Sequence, residues 1–204
     1  LVRSRGLGDV YKRQKLMYAF NISLESDTAS RKLKKVFADL LDCEIDDICF
    51  NDYKPSKAGE KVCPYKYILG NANFENTKDL GDLRLISGSA CFNESSVSDL
   101  KRLAYIGGSL DLRDSNVESF SNLHYIGRDL NMSCQPANKH SLVYNRTPQI
   151  DLGQLKHVGG DVDCRFSRVE SLKNLEYVGG NLNLSWSRDT KELGKLTYVG
   201  GDLK

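Results

Sequence analysis

The chain has 204 residues, 27% of them charged, and 29 basic against 27 acidic side chains give a net charge of +2. That balance carries none of the basic footprint of a nucleic-acid binder, and no apolar run approaches the roughly 20 residues of a membrane-spanning helix. Six cysteines without a Cys-x-x-Cys pair or a fixed ligand spacing argue against a zinc site and fit reduced, intracellular thiols better than a disulfide framework.

Residues 4–14 read SRGLGDVYKRQ, which resembles the translation of a transposon-type sequencing adapter. Residues 1–14 are therefore set apart from the fold as an assembly scar, an expectation that points to environmental shotgun DNA. A small α/β cap is expected over 15–60. Tyr18, Phe20, Ile22 and Leu24 alternate with small or polar residues, the period of a half-buried strand. Ser26, Asp27 and Thr28 supply helix-start chemistry. Leu33, Val36, Phe37, Leu40 and Leu41 then mark one apolar helical face. Ile45, Ile48 and Phe50 suggest a second short strand, and Pro55 to Gly59 a turn or linker.

From residue 61 onward a repeat takes over. Its clearest copies start at Leu103 (LAYIGGSLDL), Leu123, Leu155, Leu175 and Leu196, with weaker copies at Leu83 and around Tyr67. From Leu83 the anchor leucines are 20, 20, 32, 20 and 21 residues apart. A fixed period of this size marks a solenoid, in which each unit buries its apolar face on its neighbours. The long interval holds an insertion at 133–150. Lys204 falls where a strand should still be running, so a C-terminally truncated fragment is expected.

Aligned copies give apolar columns: Leu83, Leu103, Leu123, Leu155, Leu175, Leu196, then Ile86, Ile106, Ile126, Val158, Val178, Val199. After the glycines, Leu110, Leu130, Val162 and Leu182 alternate with polar residues, predicting a strand with one face inward. Parallel pairing of these strands would build one long sheet. The Gly-Gly pairs are expected at the bend into each strand, where a side chain would clash or φ must be positive.

The unit Leu-x-x-Leu-x-Tyr-Val-Gly-Gly-x-Leu-x-Leu-x-x-Ser-x-Val-x-Ser-Leu resembles short bacterial and phage leucine-rich repeats and the Ile-Gly-Gly-x-Leu repeats of receptor L-domains. It departs from them by lacking an asparagine ladder at the usual turn, where Ser95, Ser115, Ser167 and Ser187 stand instead. The resemblance implies an α/β solenoid of the leucine-rich, L-domain-like kind, made of parallel rungs of about 20 residues behind the cap. For function it implies non-catalytic protein recognition or adhesion.

Partner contacts are expected at six residues. Phe166 and Trp186 occupy one column on successive rungs, at a position that is polar or small elsewhere; aromatics of this kind anchor interfaces, or here pack laterally against the insertion. Tyr144 and Arg146 lie in the insertion, and loops projecting from solenoids carry recognition. Asp111 and Asp163 lie on the outward strand face, in columns of Asp and Asn. Stacked carboxylates of that sort could hold calcium, so a calcium-stabilised surface adhesin is the rival reading, and a targeting domain for an enzyme a further one. No resident metal or cofactor is expected. Tyr105, Tyr125, His157, Tyr177 and Tyr198 form a ladder that could stack sugars or peptides, or serve as a half-buried spine. The three histidines lack a recurring serine or cysteine partner, so catalysis is not expected. A protein partner is favoured, with a glycan as the second choice.

Overall fold

The computed structural model describes residues 27–55, 62–93, 95–113, 115–134, 149–169, 171–187 and 192–204. The expected scar, the strand at 18–24 and most of the insertion lie outside them.

The chain winds into a parallel β-solenoid whose rungs carry very short strands. One sheet has eight: Ile48–Cys49, Tyr67–Ile68, Leu85–Ile86, Tyr105–Ile106, Tyr125–Ile126, His157–Val158, Tyr177–Val178 and Tyr198–Val199. A second has six: Ala72–Asn73, Ala90–Cys91, Leu110–Asp111, Leu130–Asn131, Val162–Asp163 and Leu182–Asn183. A third side is thinner, with Gln149–Ile150 paired to Arg168–Val169 and single bridges linking Asp99, Ser119 and Asp151. The expected sheet after the glycines is thus present, and a longer one runs before them. Its strands run straight into the Gly-Gly pair, as Tyr105–Ile106 does, so no polar-apolar alternation continues past them to show a period of two.

Every pairing is parallel and in register, so like residues sit above one another: Ile86, Ile106, Ile126, Val158, Val178 and Val199 form one stack. A single rung contributes Val97, Leu100, Leu103, Ile106, Leu110 and Leu112 to the interior, each at most 4% exposed. Burial of one such side chain is worth about 1.5–3 kcal/mol. Leu80, Leu100, Phe120, Leu152 and Leu172 make a further buried column, three residues before each anchor leucine.

Helix α1 (Asp27–Leu41) forms where the sequence predicts a helix, but its buried face is rotated. Phe37, Ala38 and Leu41 pack with Ile48 and Tyr67, while Val36 and Leu40 are exposed. Of the cap strand expected through Ile45, Ile48 and Phe50, only Ile48–Cys49 is extended, as the first strand of the eight-stranded sheet, while Ile45–Asp47 forms a 3-10 turn.

The repeated glycines answer a close approach of rung to rung. In the first-glycine column, no positive φ is found at Gly107, Gly127, Gly159, Gly179 or Gly200. A Cβ there would overlap a carbonyl oxygen of the preceding rung: that of Ser87 for Gly107, of Gly127 for Gly159, of Gly159 for Gly179. Positive φ falls elsewhere, at Gly81, Lys101, Ser121, Gly153, Lys173 and Gly194, one turn column further round. Gly159→Ala should therefore lower stability by about 1–3 kcal/mol, the range for overpacking a filled site. Urea unfolding reads it, and an unchanged midpoint would show that the rungs have slack.

Candidate functional site

The six-stranded sheet and the turns on either side of it hold most of the expected contacts, and their chemistry is set by where backbone N–H groups need acceptors. Along the corner after the glycines, each rung offers a side-chain oxygen to the next. Asp52 accepts from the Asn71 N–H (2.7 Å), Asn71 from Ser89 (2.9 Å), Ser89 from Ser109 (3.0 Å) and Ser109 from Asp129 (3.3 Å). The chain of bonds continues from Asp129 to Asp161 (2.9 Å), Asp161 to Asn181 (2.6 Å) and Asn181 to Asp202 (2.8 Å), the first-named residue accepting each time. The second glycine of each pair makes room for this ladder: a Cβ on Gly160, Gly180 or Gly201 would overlap the ladder oxygen of Asp129, Asp161 or Asn181. Where Arg128 replaces that glycine, the ladder bond is the longest of the series, 3.3 Å. An acceptor ladder thus does exist, in a column that reads from sequence as a solvated polar face.

A second column closes turns within a rung. Oxygens of Asn73, Asp111, Asn131, Asp163 and Asn183 each accept the N–H two residues on, the geometry that makes Asx residues turn formers. Two of these turns carry an added clamp. The Arg113 guanidinium grips Asp111 through both oxygens, at 2.6 Å for the shortest bond, and Arg165 holds Asp163 in the same way at 2.7 Å. Burial pushes both carboxyls up, but the Arg hydrogen bonds from side chain and backbone outweigh it and hold each below the usual carboxylate range. Asp111 and Asp163 therefore present closed ion pairs rather than open carboxylates. Arg113 and Arg165 were not singled out from sequence, although Asp-x-Arg recurs at 111–113 and 163–165 and was signal enough.

These commitments weaken the calcium reading on physical grounds. A calcium ion takes six to eight oxygens, and here the carboxylates of Asp111, Asp129, Asp161 and Asp163 already accept N–H groups or guanidinium. Among the described residues no three His, Cys, Asp or Glu side chains are grouped to hold a metal ion.

The aromatic ladder is a stacked spine. Tyr105, Tyr125, His157, Tyr177 and Tyr198 succeed one another with centroids 4.4–4.9 Å apart and planes within 9° of parallel. Ring faces between neighbours are covered by one another, which leaves edges for a partner along most of the ladder. Burial between its neighbours pushes the His157 imidazole below its ordinary value.

Phe166 and Trp186 differ from that spine. Both stand in the left-handed backbone region, φ 57° and 62°, in the same turn column as Asn76 at 62°. Asparagine tolerates this conformation, whereas a bulky side chain there is an outlier. The two rings lie parallel within 5° at 6.2 Å. Phe166 is half-buried, and Trp186 is 74% exposed. On the next rung back, Arg165 and its ion pair with Asp163 sit beside this corner, and the Phe166 N–H donates to the Ser185 carbonyl. Asp111 is two rungs away, separated by Asn131. Tyr144 and Arg146 lie outside the described residues. The structure thus brings together Phe166, Trp186 and the Asp163–Arg165 pair, and leaves Asp111 apart.

A shallow concavity of about 390 Å³ lies further along the same sheet, lined by Tyr53, Asn73, Ser89, Cys91 and Asp111 among others; it includes neither aromatic. No described helix is long and apolar enough to cross a membrane. No protein-family model matches the chain, and no curated protein or solved structure matches it.

The ladder assignment separates charge from hydrogen-bond acceptance. Asp161→Asn keeps an oxygen for the Asn181 N–H and should unfold at the wild-type midpoint, while Asp161→Ala should lose about 1 kcal/mol. Equal midpoints for Asp161→Ala and wild type in chemical denaturation would sink the ladder as a stabilising element.

Proposed function

We propose that the chain is a non-catalytic recognition module, a leucine-rich, L-domain-like solenoid with the region of α1 as its N-terminal cap. Its binding surface is the corner that carries Phe166 and Trp186. One observation carries this reading. Two bulky aromatics stand at positive φ in a turn column where asparagine is the residue best suited, and the larger of them is three-quarters exposed. Such a backbone position costs on the order of 1–2 kcal/mol for a residue other than glycine or asparagine. With the Trp186 side chain 74% exposed, burial offsets only part of that cost. Two stacked aromatics in this column support partner recognition as the reason for them.

The surrounding solenoid supplies what a recognition site needs. Its rungs are held in register by the ladder and the core, so the corner is presented on a rigid element, which lowers the ordering cost of binding. The paired Asp163 and Arg165 give the rim a fixed dipole rather than a net charge.

Trp186→Asn tests the reading through stability. Relief of the left-handed strain should leave the melting temperature unchanged or raise stability by about 1 kcal/mol. A cooperative loss of stability would make the indole a structural element and remove the basis for this site.

A further inference from the structure

We propose that the chain pairs with a second copy of itself through helix α1, the two helices lying antiparallel about a two-fold axis. The proposal is independent of the recognition reading above and rests on α1 alone.

The first argument is the face that the fold leaves over. Helix α1 turns Phe37, Ala38 and Leu41 onto Ile48 and Tyr67, which uses one side of the helix. Val36 and Leu40 are 47% and 43% exposed and belong to neither buried cluster. In sequence they close the series Ala29, Leu33, Val36 and Leu40, with spacings of four, three and four. That is the seam of a coiled coil, whose apolar positions recur every 3.5 residues on average. A helix that only covers a core needs one apolar stripe. This one carries a second.

The second argument is charge. The first half of α1 holds Arg31, Lys32, Lys34 and Lys35, whereas Asp39 stands in its last turn and Asp42, Glu44 and Asp46 follow. Carboxylates at a helix C-terminus oppose the macrodipole, and the last turn has no basic residue to offset them. Asp47 is held by Lys66 at 2.8 Å, but Lys35, Asp39, Asp42 and Asp46 form no ion pair among the described residues. The helix thus carries a charge gradient that is unfavourable in a single chain. Two such helices set antiparallel lay the basic half of each beside the acidic end of the other, and their macrodipoles run opposite as well. A parallel pair would lay basic half on basic half.

The third argument is that one pairing satisfies seam and charge together. With the axis centred between Leu33 and Val36, Leu33 of one copy faces Val36 of the other, and Ala29 faces Leu40. Lys32 and Asp39 each precede a seam leucine by one residue. In an antiparallel pair these flanking positions bring Lys32 of one copy to Asp39 of the other, twice by symmetry. The seam spans about three turns, so the contact falls at the small end of interface size and the dimer is a reversible one.

Sedimentation velocity of the whole chain from about 1 to 300 µM should show the weight-average mass rise from one chain toward two. Leu40→Glu should stay at one chain over the same range with an unchanged melting curve. Asp39→Lys and Lys32→Asp each turn two attractions into two repulsions, and each should weaken association on the order of tenfold. The double variant carrying both exchanges should recover the wild-type value. Asp39 is exposed, so the charge series stays readable if Leu40→Glu folds poorly. A mass of one chain at every concentration would overturn the proposal. So would a dimer that Leu40→Glu leaves intact, because the contact would then lie elsewhere. A double exchange that fails to recover association would exclude the antiparallel pairing.

Discussion

The structure depends on how closely one rung's backbone lies on the next at the glycine column. A Cβ on Gly107, Gly127, Gly159, Gly179 or Gly200 would overlap a carbonyl of the rung before, and this approach has two results. It brings like core residues into contact, so that Leu103, Ile106 and Leu110 and their counterparts are sealed by neighbouring rungs. It also brings a side-chain oxygen of each rung within bonding distance of an N–H on the next, from Asp52 through to Asp202. Apolar burial supplies the larger free energy. The ladder satisfies the N–H groups that strands of two residues leave unpaired.

Most of the polar decoration of the solenoid is thereby explained as architecture. One Asx and Ser column bonds rung to rung, a second closes turns within rungs, and a third does the same at Asp79, Asp99, Ser119, Asp151 and Ser171. The stacked tyrosines and His157 pack face to face along the axis. Against that background Phe166 and Trp186 stand out, because their backbone conformation opposes their size and Trp186 is largely exposed. Their backbone position runs against local preference, as residues at functional sites often do.

The apolar columns and the parallel stacking were legible in the sequence because a 20-residue spacing repeats with leucine, isoleucine and valine at fixed offsets. The sheet before the glycines was not, since Tyr105–Ile106 and its equivalents run directly into the glycine pair and show no alternation beyond it. Asp129 and Asp161 read as solvent-facing because an exposed carboxylate and a ladder acceptor look alike until the facing N–H is placed. In α1 the expected stripe of Leu33, Val36, Phe37, Leu40 and Leu41 holds at Phe37 and Leu41, which pack with Ala38 on Tyr67, while Val36 and Leu40 are exposed. The column of Phe166 and Trp186 was visible as an oddity of composition. Its positive φ was not, because Asn76 alone hints at it in the sequence.

The outward Asp, Asn and Ser column is bonded rung to rung, which commits its oxygens within the fold. Amide hydrogen exchange followed by NMR tests it at Ser109, Asp161 and Asn181, whose N–H groups point to side-chain oxygens of the rung before. The account predicts protection comparable to that of the core amides of Leu110 and Val162, despite the exposed position of Asp161 and Asn181. Exchange at the rate of an open turn would contradict it, and would return that face of the solenoid to the list of candidate binding surfaces.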